Sequence, residues 1–114
     1  MSSERPAEAV NLQLAAAESA GRRIAWTHAG NDLNASLVVL AADERVEEHV
    51  NREVDVLLLG VSGAGLVTGD GNDHPLFRDD LLVVPKGTRR RIAPRGGPLV
   101  YLTCHRRRSG LWPQ

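Results

Sequence analysis

Apolar residues in this chain come in short runs cut by turn formers at intervals too tight for helices. Leu33 to Leu40, Arg89 to Ala93 and Leu99 to His105 each read as a strand, and Arg22 to His28 as a shorter one before the Gly30-Asn31-Asp32 turn. Arg45 to Asn51 alternates weakly, while Val54 to Leu59 is almost continuously apolar, the pattern of a strand buried on both faces. Gly60, Ser62, Gly63 and Gly65 then predict a bulge or sharp bend. Between Leu66 and Ile92 lies a meander of short antiparallel strands. Asp70-Gly71 supplies the positive dihedrals of a tight hairpin, and Pro85-Lys86-Gly87 stops a strand that proline could not continue. Arg95, Gly96, Gly97 and Pro98 read as a turn before the last strand.

The first 21 residues are the least strand-like. Ala7 to Ala9 and Ala15 to Glu18 favour helix, whereas Val10, Leu12 and Leu14 alternate with polar residues as an added edge strand would. The chain therefore divides into an N-terminal arm or short helix (1–21), one all-β domain (22–106) and an aperiodic C-terminal tail (107–114). A length of 114 residues suits a single core.

Lys plus Arg and Asp plus Glu number 14 each, so overall charge makes no case for nucleic acid or an anionic membrane. The Arg106–Arg108 run has only Trp112 nearby as a stacking aromatic, which argues further against nucleic acid. One cysteine, Cys104, excludes an internal disulfide, and no secretion signal or membrane span is legible; a cytoplasmic location is expected.

The order of turns and strands resembles the cupin superfamily, whose two motifs run Gly-x5-His-x-His-x(3 or 4)-Glu-x6-Gly and Gly-x5-Pro-x-Gly-x2-His-x3-Asn. Laid on this chain, the first begins at Asp43; His49 matches the first His, Asn51 replaces the second, the Glu position falls on Val56 with Asp55 one residue earlier, and Gly63 matches the closing Gly. The second begins at Asp79, keeps Pro85 and Gly87, and carries Arg90 for the His and Pro94 for the Asn. The likeness spans Leu33 to His105 and implies a double-stranded β-helix, or jelly-roll barrel, of the cupin type.

In cupins the His, His, Glu and His side chains point inward and bind a divalent metal. One of those four is retained here, and a fixed guanidinium at Arg90 would repel a cation. The expectation is thus no cofactor and no assigned catalytic residue, with a small organic anion held by Arg90, His49, Asn51 and Asp55, or an accessory or sensory role. Asp55 could instead serve as the carboxylate partner of Arg90. The alternative is a metal-dependent enzyme of oxygenase or isomerase type, its iron, zinc, manganese or nickel held by His49, Asp55 and His105. A third reading gives the chain a self-association role, as a homodimer formed through the N-terminal arm or a sheet face. Arg89, Arg90 and Arg91 alternate across their strand, so no continuous basic patch is expected there. Cys104 and His105 face opposite ways and cannot act as a catalytic pair.

Overall fold

The structure is a computed structural model that describes residues 6–107; the rest, including nearly all of the expected C-terminal tail, lies outside the described residues. After a short helix, α1 (Leu12–Ala17), come seven strands: β1 (Ile24–Ala29), β2 (Leu33–Leu40), β3 (Val46–Val50), β4 (Val56–Gly69), β5 (Asn72–Phe77), β6 (Leu81–Val84) and β7 (Arg89–Arg106). All pairings are antiparallel. β4 and β7 form the long central ribbon, with the main path β1-β2-β7-β4-β5, β3 on β7 and β6 on β4.

The ribbon belongs to two layers. Its one end, Val56–Gly60 of β4 with Leu99–Arg106 of β7, carries β6 and β2. The other, Gly65–Gly69 with Arg90–Pro94, carries β5 and β3. Among the described residues no pairing joins the free edges of the two layers, so the jelly roll is not closed by hydrogen bonds into a barrel.

Glycines make the bend between the layers. A Cβ at Gly60 would run into the Phe77 carbonyl, and one at Gly63, whose φ is 75°, into the Pro98 carbonyl. Register shifts fall here, between Gly60 and Ser62 and between Gly63 and Gly65, as the glycine cluster predicts. The predicted turn at Arg95–Pro98 is corrected. β7 runs through as one strand, and these four residues form an outward excursion opposite Ala64 alone, between the Gly65–Pro94 and Gly63–Leu99 pairs.

Each irregularity switches which parity faces inward. Val56 and Leu58 are buried before the bend and Val67 after it on β4; Ile92 is buried before the excursion and Leu99 and Tyr101 after it on β7. These side chains, with Val38, Leu40, Val54, Leu76 and Val84, make the core between the layers. The outer face of the first layer has a second cluster, Leu37, Val61 and Val100, covered by Leu12, Ala15 and Ala16 of α1. That i, i+3, i+4 spacing is a helix stripe. Asn11 caps α1 by accepting from Leu14 N at 2.9 Å, and Gln13 Nε2 ties it to Val61 O at 2.9 Å. The predicted Asp70-Gly71 hairpin has φ of 49° and 84°.

Candidate functional site

Alternation on β7 turns Arg89 and Arg91 to solvent and Arg90 inward, 7% exposed and on the same face as Ile92. A guanidinium this far inside a small β domain is rare and marks the interior electrostatically. Its field reaches Tyr101 across the core: burial pushes the Tyr101 phenol up to about 12, and the positive charges of Arg90 and then Arg23 oppose that rise.

In register, Arg90 lies opposite His49 of β3 and Gly69 of β4. Gly69 and Thr88 line a cavity of about 260 Å³ with Val67, His74, Leu82 and Val84. A Cβ at Gly69 would meet Thr88 Cγ2 at 3.2 Å, so the absent side chain keeps that wall open. Thr88 lies in the turn just before β7, two residues ahead of Arg90, with its N donating to Pro85 O at 3.2 Å. Neither Thr88 nor Tyr101 was singled out from the sequence. Thr88 carries no distinctive pattern, and Tyr101 reads as an ordinary strand aromatic.

The other sequence candidates fall in different surroundings. Asn51 is buried, 5% exposed, and its Oδ1 accepts from Glu53 N at 3.0 Å and Val54 N at 3.2 Å, while its backbone oxygen accepts from Gly87 N at 2.7 Å. It therefore builds the corner between β3 and β4 and docks the Pro85–Gly87 turn. Its Nδ2 has no hydrogen-bond partner among the described residues. His49 is exposed, with Nδ1 3.0 Å from Glu47 O.

Asp55 is exposed on the outer side, where Oδ1 accepts from Lys86 N at 2.9 Å. Val54 and Val56 take the interior and leave Asp55 to fix the β6–β7 turn, so it does not share the inner face with Arg90. His105 sits near the far end of β7, opposite Asn34, with Nδ1 2.8 Å from Arg106 O. Among the described residues no three His, Cys, Asp or Glu side chains gather where a metal ion could be held, and the set His49, Asp55 and His105 does not come together. The positions matching the cupin metal motif fit a divalent cation poorly on their own chemistry. One is aliphatic, one spends its amide oxygen on backbone and one is a permanent cation.

No protein-family model matches the sequence, and no curated protein matches it. Solved structures do. A cupin superfamily protein from Desulfitobacterium hafniense is 27% identical over 68% of this chain and 69% of its own, with a TM-score of 0.62. A cupin protein from Bacteroides fragilis is 25% identical over 73% and 71%, with a TM-score of 0.61. A Bacillus halodurans protein is similar over 98% of this chain and 89% of its own at 21% identity, with a TM-score of 0.77. The fold is that of a jelly roll whose sheet is not closed into a barrel. The chain belongs to the cupin superfamily. No helix of the described residues is long and apolar enough to cross a membrane.

Tyr101 gives a direct check on this interior. As the only tyrosine, it can be titrated by near-ultraviolet absorbance, with an expected midpoint near 12 in the folded protein and near 10 in denaturant. Because the folded value is the higher one, the neutral phenol contributes stability that is complete below pH 10 and is lost as pH rises toward 12. A folded-state midpoint at the ordinary value would place the ring in water.

Proposed function

We propose that this cupin domain binds a small organic anion at the inner edge of the sandwich, with Arg90 as the cationic anchor and no divalent metal in the usual position. The carrying observation is the inward, buried guanidinium at the motif position of a metal-binding His. Arginine presents a planar fork of donors that fits a carboxylate or phosphate. Asn51 Nδ2 adds a buried donor on the neighbouring strand end, and Thr88 lines the adjoining cavity. An accessory or sensory role is consistent with binding of this kind.

Thermal-shift titration with malonate and citrate tests the reading. At least one anion is expected to raise the melting temperature saturably in the wild type and to do so no longer in Arg90→Ala. Equal stabilisation of the variant would overturn it. Metal content of tag-free protein, grown in metal-supplemented medium and desalted without chelator, tests the other half. Near-stoichiometric iron, zinc, manganese or nickel that is lost in His49→Ala would favour the metal-dependent enzyme instead.

A second reading, self-association, is favoured by the outer face of the first layer. There Leu81 is 61% exposed, Val83 55% and Leu57 41%, next to Leu59, Leu102 and Cys104 in register. These neighbouring side chains leave a contiguous apolar patch in water, the kind of surface that marks an interaction site on a folded domain. A flat antiparallel face can pack on a copy of itself about a two-fold axis. Sedimentation of the wild type is expected to give a dimer that Leu81→Glu with Val83→Glu converts to monomer. A wild type that stays monomeric at micromolar concentration would remove this reading.

A further inference from the structure

The outer face of the second layer holds a groove of about 530 Å³ that Arg90 does not line. Its floor is Leu66, Thr68 and Ala93, the outward residues of the central ribbon. Arg91 lies opposite Thr68, Arg45 enters from the residue just before β3, and Arg95 enters from the excursion in β7. Three guanidiniums thus surround one partly apolar trough.

Of the two carboxylates in the groove Glu47 is ion-paired, whereas Asp73 is held by a neutral hydroxyl and keeps its charge, so the three guanidiniums still outnumber the carboxylates. Glu47 Oε2 lies 3.2 Å from Arg45 Nε, and Asp73 Oδ1 accepts from the Thr68 hydroxyl at 2.8 Å. Arg89, the next outward residue on β7, is paired with Glu48 at 3.3 Å. Arg91 and Arg95 form no ion pair among the described residues, which sets them apart on this face. A trough of this volume is of ligand size, and its apolar floor suits a short carbon skeleton.

We propose that this groove is an anion site for a phosphate monoester, with Arg91 and Arg95 on the phosphoryl oxygens and Leu66 and Ala93 under the organic group. The two guanidiniums outside any ion pair exceed the Asp73 carboxylate in charge and leave the groove net positive, which favours the charge of about −2 that a phosphate monoester carries near neutral pH. Each guanidinium can donate two parallel N–H bonds to phosphoryl oxygens, a geometry that a compact ammonium could not reproduce. The site is open to solvent, so its binding weakens as salt rises.

The test is calorimetric titration of the full chain with inorganic phosphate, phenyl phosphate and acetate at matched ionic strength. Phenyl phosphate is expected to bind more tightly than inorganic phosphate, and acetate not measurably. Arg91→Gln with Arg95→Gln should weaken phenyl phosphate by at least about tenfold. Arg89→Gln, outside the groove, should leave it unchanged. Arg91 and Arg95 are exposed, so the double variant is expected to keep the wild-type circular dichroism and melting temperature. Unaltered binding in that folded double variant, acetate binding as tightly as phenyl phosphate, or loss of binding only in Arg90→Gln would each overturn the assignment. The last outcome would move the anion to the interior, which is the separate reading above.

Discussion

Gly60→Val is expected to destabilise the domain by about 3 kcal/mol or more, the upper range for forcing extra atoms into a packed site. The atom a Cβ would strike is the backbone carbonyl of Phe77, so no rotamer change relieves the clash. The flanking backbone is fixed as well: Gly60 N donates to Asp80 O at 2.9 Å and Asp79 N to Gly60 O at 2.8 Å. To admit a side chain, the Phe77–Asp80 turn must leave β4, taking with it the Asp80 side chain that caps Phe77 N at 2.9 Å. Denaturant unfolding followed by circular dichroism should show a large drop in midpoint at unchanged slope. Gly71→Ala, at a positive-φ turn with open space around the missing Cβ, should cost clearly less. Equal costs at the two sites would mean that the close approach at Gly60 does not exist.

The second large effect is a contrast between neighbours. Leu58 is 1% exposed and Leu57 41%, on opposite faces of the same strand. Leu58→Ala should cost roughly 2–5 kcal/mol, because the lost transfer energy is joined by a cavity between two layers that cannot collapse onto it. Leu57→Ala in the monomer should cost under about 1 kcal/mol, since its side chain is partly in water already. Chemical denaturation at low protein concentration measures both. Similar losses at the two positions would mean that the faces of β4 are wrongly assigned.

The strands were legible because their alternation is local, and Leu33–Leu40 was bounded correctly by its flanking turns. The glycine cluster at Gly60–Gly65 announced a bend for the same reason: backbone freedom is written in residue type. Arg95–Pro98 misled because Gly-Gly-Pro is ordinary turn composition. Only the partner strand decides whether such residues reverse the chain or bulge from it. The inward direction of Arg90 follows from alternation. The outward direction of Asp55 did not, because a run apolar on both sides gives no sign of which face meets the core.

The basic groove shows the limit of reading one strand at a time. Alternation correctly separates Arg90 from Arg89 and Arg91, and so argues against a patch. It could not anticipate that β3 and a bulge would bring Arg45 and Arg95 to the same trough. Likewise His49, Asp55 and His105 carry donor atoms in the sequence, but each sits where its own neighbours need it: on Glu47 O, on Lys86 N and beside Arg106 O.

By itself the sequence determined the class of fold, its short antiparallel strands and its bend, since these depend on residue type and on spacing within a few positions. The tertiary structure decided which carboxylates face water, which of the glycines make close contacts, what the N-terminal helix covers and where the arginines collect. Those outcomes depend on the register between strands distant in sequence, and a single slip of one residue would invert every one of them.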